Sequence, residues 1–92
     1  MNYAPLIQEL EELVRQLGLA IRYEKGDFDG GYCILKDQRI LVVNKRLQDN
    51  RKASVIARAV AEVGIDTTFV RPNLREYIED EVAKAAKERK AS

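Results

Sequence analysis

The apolar residues of this chain change their spacing twice, and that change restricts what the chain can fold into. Leu6, Ile7, Leu10, Leu13, Val14 and Leu17 recur at the interval of an α-helix. From Leu19 the interval drops to two, with Leu19, Ile21 and Tyr23 alternating with Ala20, Arg22 and Glu24. Past residue 48 the helical interval returns. Blocks of helix and blocks of strand therefore follow one another in a single chain, which is the pattern of an α+β domain.

The first block predicts a helix from Pro5 to Leu17. Proline is tolerated in a first turn, where its missing N–H has no helical partner, and Gly18 supplies a left-handed C-cap. Leu19 to Tyr23, Tyr32 to Leu35 and Ile40 to Val43 read as three short strands. The segment between the first two, Lys25-Gly26-Asp27-Phe28-Asp29-Gly30-Gly31, reads as a hairpin turn rich in residues that accept positive φ. Lys36-Asp37-Gln38-Arg39 reads as a tight connection, although it lacks the Asn-Gly or Asp-Gly of the commonest hairpins. The unbroken apolar run Ile40-Leu41-Val42-Val43 suggests burial on both faces, hence a central strand or a contact between copies. A second helix runs from Asp49 or Asn50, either of which can cap it, to Val63, with Gly64 ending it. Pro72 opens a third, with Leu74, Tyr77, Ile78, Val82, Ala85 and Ala86 on its apolar stripe. The expected order is α-β-β-β-α-α, a small antiparallel sheet with helices packed on one face. One domain spans residues 1–92, its ordered core covering about 4–88 and its C-terminal tail frayed.

The 92 residues include no histidine and one cysteine. The commonest metal ligand and the commonest general base are missing, and neither a closed thiolate zinc site nor an internal disulfide can form. No cofactor is implied. Sixteen Lys and Arg against fifteen Asp and Glu give a formal net charge of +1, which argues against a generic polyanion binder and makes nucleic acid an unlikely partner. The N-terminal residues lack a basic, apolar leader, and no apolar run approaches the ~20 residues of a membrane helix. A lone Cys33 in a reducing compartment completes the expectation of a cytoplasmic protein.

Four groups of residues are candidates for function. Asp27 and Asp29, beside the paired Gly30-Gly31, offer a turn that can contact a partner; the spacing fits neither a phosphate loop nor a calcium loop. Cys33 has no histidine to activate it and reads as a small buried hydrophobe in mid-strand. Lys45, Arg46, Arg51, Lys52 and Arg58 form a basic segment without interleaved aromatics. Arg71 precedes the third helix and Arg75 lies in its first turn, where a cation opposes the helix dipole; an ion pair of that Arg with Asp66, Glu62 or the first helix explains such a placement.

The run Gly31-Tyr32-Cys33, then Arg39 to Asn44, then Val55-Ile56-Ala57-Arg58-Ala59-Val60-Ala61-Glu62, resembles the core of small bacterial zinc metallopeptidases of the immunity-repressor type. In that family a strand ending near Asn leads to a helix carrying His-Glu-x-x-His. The likeness covers about residues 19–63. It puts Arg58 where the first zinc-binding His would stand, Ala59 in place of the general-base Glu, and Glu62 in place of the second His. Arg stays protonated and cannot ligate zinc, and Ala cannot activate water. The resemblance thus implies a scaffold stripped of its metal chemistry. The whole chain also resembles short bacterial proteins that have no assigned role.

These readings favour a small non-catalytic interaction or regulatory module with a protein partner. Its contact surface would lie at Asp27, Asp29, Arg71 and Arg75. The alternative is a small enzyme or ligand sensor built on carboxylates and arginine, with Arg58 and Glu62 in its pocket. A weak nucleic-acid binder is the second alternative. A homodimer through the Ile40–Val43 strand is also expected if that strand lies at an edge.

Overall fold

A computed structural model of the chain describes residues 2–91. Helix α1 spans Ala4–Gln16, strands β1, β2 and β3 span Ala20–Glu24, Gly30–Leu35 and Gln38–Asn44, and helices α2 and α3 span Asp49–Val63 and Pro72–Ala91. The α+β class and the order α-β-β-β-α-α are those expected from the sequence.

Helix α1 ends as its sequence dictates. Gly18 has φ +83°, its N–H bonds the Arg15 carbonyl, and the Leu19 N–H bonds the Val14 carbonyl. This is the Schellman arrangement, and it turns the chain directly into β1. Helix α2 has Gln48, not Asp49 or Asn50, as its N-cap, and no side chain caps it. Asp49 instead lies in the first turn, where its charge complements the positive end of the helix dipole.

The sheet corrects one expectation. It is mixed, not antiparallel: the strand order is β1-β3-β2, with β1 parallel to β3 and β2 antiparallel to β3. β3 lies in the middle, as its unbroken apolar run suggested, so it has no free edge for another copy. The Gly- and Asp-rich segment is consequently no hairpin turn but a crossover, carrying the chain from β1 past the end of β3 to β2. Asn44, buried at that end, holds it. Its side-chain amide donates to the carbonyls of Gly26 at 3.0 Å and Phe28 at 2.7 Å, and its carbonyl oxygen accepts the Arg46 N–H at 3.0 Å.

Strand alternation divides the sheet into two faces. Ile21, Tyr23, Tyr32, Leu41 and Val43 point to the helices and join Leu10, Val14, Ile56, Val60, Leu74 and Ile78 in one core. Burying each large side chain of that core contributes about 1.5–3 kcal/mol. The opposite face carries Ala20, Arg22, Ile40, Val42, Gly31, Cys33 and Leu35, none of them part of the core cluster. Ile40 is nonetheless only 2% exposed, because strands flank it on both sides.

Candidate functional site

Two features set this site: a strand at the sheet edge and the helix that runs beside it. β2 reads Gly-Gly-Tyr-Cys-Ile-Leu, without a charge or a proline. Every residue of it except Tyr32 is exposed, with Ile34 at 64% and Leu35 at 52%; Cys33, expected to be buried, is exposed too, because it points to the face that no helix covers. Its inner edge is taken by β3. The hairpin turn Lys36-Asp37 has positive φ at both residues, 51° and 68°, so Leu35 and Gln38 form the hydrogen-bonded pair that closes a two-residue loop. Hydrogen bonding to β3 therefore falls on Leu35, Cys33 and Gly31, and continues in the Asn44 N–H that donates to the Asp29 carbonyl. The N–H and C=O groups of Gly30, Tyr32 and Ile34 point the other way, to the open edge.

Helix α2 follows β2 in the same direction. Arg51 in its first turn is ion-paired with Asp29. Val55 covers Gly30: a Cβ on Gly30 would lie 2.8 Å from the Val55 side chain and 2.5 Å from the Val42 carbonyl oxygen. Only glycine permits this approach. Between strand and helix lies a groove of about 210 Å³, lined by Asp29, Gly30, Gly31, Arg51, Ser54, Val55, Arg58, Ala59 and Glu62. It brings together three residues singled out in the sequence: Asp29, Arg58 and Glu62. Asp27 is exposed on the crossover and does not line it.

The groove has a charged support beneath it. Glu81 of α3 is buried, and its carboxylate accepts the Ser54 hydroxyl at 2.6 Å, the Arg58 Nε at 3.3 Å and the Lys84 ammonium at 3.2 Å. Burial opposes its ionisation, but the hydrogen bonds from Ser54 and Lys84 and the charges of Lys84 and Arg58 outweigh it, so its carboxyl sits below the usual range. Arg58 also bonds Glu88 at 2.9 and 3.3 Å. A carboxylate held ionised by three donors serves as an anchor rather than a general acid. The sequence reading put Glu81 with Glu79 and Asp80 on an exposed acidic face and Val82 on the α3 stripe, whereas Glu81 is buried and Val82 is 41% exposed. The spacing Leu74, Ile78, Glu81 was the available signal.

The other candidates are dispersed. Arg71 pairs with Glu9 of α1 at 3.2 Å, and the groove beside it is lined by Phe69, Val70 and Leu74. The ion pair expected of Arg75 in the first turn of α3 does not form among the described residues, and Arg75 lines a different groove with Asp66 and Glu79. The basic segment is split: Lys52 lies 5.8 Å from the Tyr23 ring and shares a groove with Lys45, whereas Arg51 and Arg58 face β2. Among the described residues, no three His, Cys, Asp or Glu side chains are placed to hold a metal ion. No helix there is long and apolar enough to cross a membrane. Comparison with family models, with curated proteins and with solved structures finds no match.

Proposed function

We propose that this chain is a non-catalytic interaction module that takes an extended segment onto the open edge of β2. One observation carries the reading: β2 is an exposed edge strand with none of the devices that normally blunt such an edge. Charges, prolines and bulges keep edge strands from pairing. β1, the other edge, has an Arg22–Glu24 ion pair at 3.3 Å along it. β2 instead exposes the large apolar side chains of Ile34 and Leu35 beside unpaired main-chain groups.

A docked segment bonds through its backbone to Gly30, Tyr32 and Ile34, and every second side chain faces the groove against Val55 and Ala59. The Asp29–Arg51 pair and the Arg58–Glu62 end of the groove select among side chains by charge. Asp29 keeps the contact role expected of it, while Arg58 and Glu62 become parts of a binding groove.

The test is titration of a short peptide of alternating Val and Thr into isotopically labelled protein. Strand addition predicts shifts confined to residues 29–36 and the groove face of α2, with slowed amide exchange at Tyr32 and Ile34. Free exchange at those two amides with the peptide in excess, or shifts centred on other elements, removes the reading.

A further inference from the structure

We infer that the segment that covers β2 is β2 of a second copy, so that two chains join edge to edge into one six-stranded sheet. This rests on the edge-docking reading above and names its partner. The groups facing the open edge belong to Gly30, Tyr32 and Ile34, and this set is symmetric about Tyr32. A two-fold axis perpendicular to the sheet through Tyr32 runs the two strands antiparallel. It sets Tyr32 against Tyr32 of the other copy and Ile34 against Gly30. About six main-chain hydrogen bonds form, with every edge-facing group of the three residues used.

Side chains agree with that register. Ile34, 64% exposed, arrives at Gly30 of the other copy, the position kept bare of a side chain and covered by Val55. Charges agree as well. Since Arg51 meets Asp29 and Val55 meets Gly30, α2 runs alongside β2. Tyr32 lies about 7 Å beyond Gly30 along the strand, and Ala59 about 6 Å beyond Val55 along the helix. The axis thus passes beside Ala59 and brings Glu62 of each copy toward Arg58 of the other. Each Arg58 then faces the partner's Glu62 in addition to Glu81 and Glu88 of its own chain.

The register fixes a cross-link. Gly31 and Cys33 both point to the helix-free face, and the axis places Gly31 of one copy opposite Cys33 of the other as a non-hydrogen-bonded pair. Their Cα atoms are then about 4.5 Å apart, within disulfide reach. Cys33 and Cys33 of the two copies are about 8 Å apart, beyond it. Gly31 has open space where a Cβ would go, so Gly31→Cys leaves the fold intact.

The experiment is oxidation of the full chain with oxidised glutathione, followed by non-reducing electrophoresis, beside sedimentation of the wild-type protein over a concentration series. The expected result is a wild-type dimer that does not cross-link, a Gly31→Cys variant that does, and loss of that cross-link when Cys33→Ser is added. Ile34→Pro removes an edge donor without touching a bond to β3, and self-association should weaken about 100-fold. A protein that stays monomeric and uncross-linked overturns the pairing, and so does a dimer in which wild-type Cys33 cross-links to itself or Gly31→Cys does not. If the Val–Thr peptide still protects Tyr32 and Ile34 in such a protein, only the second copy is excluded; if it does not, the edge reading falls too.

Discussion

Glu81 shows how much one misplaced charge can organise. A carboxylate on the core stripe of a helix is expensive unless every oxygen is occupied. Here Ser54, Arg58 and Lys84 occupy them, tying α3 to α2 beneath the groove. Glu81→Gln should lower stability by about 1–3 kcal/mol in urea unfolding at neutral pH. The pH dependence has a definite sign. Because the folded carboxyl is held below its ordinary 4.5, its contribution is complete above that value and is lost as pH falls through the folded value. Wild type and Glu81→Gln should therefore converge in stability on acidification, and a constant gap down to strong acid would contradict the assignment. Gly30 is the second residue whose surroundings set its identity. A methyl group there meets the Val42 carbonyl and Val55, so Gly30→Ala should cost about 1–3 kcal/mol, whereas Gly31→Ala, facing open space, should cost much less.

Among the elements, those with a strong local signal were legible in the sequence. The α1 stripe and Gly18 specify a helix and its stop, and Ile40–Val43 specifies a central strand, because burial on both faces forbids alternation. What was not legible is which strands pair. A period of two says that a segment is extended and half-buried, not whether its neighbour runs parallel. The Gly- and Asp-rich crossover has the composition of a hairpin turn, and only its path around the end of β3 distinguishes the two. The site was legible in the same partial way. Asp29, Arg58 and Glu62 converge on one groove, but the edge that gives the groove its use follows from strand order. Glu81 lay hidden in the acidic run Glu79-Asp80-Glu81, which reads as a solvated face. The true hairpin has an unfavourable sequence: Lys36 and Asp37 both hold positive φ without glycine. Replacing them by Asn-Gly should raise stability by about 1 kcal/mol, seen as a higher urea midpoint at unchanged slope.

At the scale of the molecule, α1 and α2 cover one face of a sheet with only three strands among the described residues, and α3 packs on those two helices. A domain this small buries only about 60–65% of the surface its unfolded chain exposes. An open apolar edge is then both a liability and a source of added stability. Coupled association makes the unfolding midpoint depend on protein concentration. Heating over a hundredfold concentration range should raise Tm for wild type, and for Ile34→Pro the rise should set in only at about 100-fold higher concentration; a Tm independent of concentration in both would show that the domain stands alone.

The central position of β3 also sets the order of events as the chain folds. β1 has no strand partner until β3 arrives, since its residues pair with Ile40 and those that follow. β2 needs only the turn at Lys36-Asp37 to find the same strand. The hairpin is the local contact, and the parallel pairing must close a longer loop around it. A better turn would therefore act before the transition state: the Asn-Gly variant should refold faster and unfold at nearly the wild-type rate.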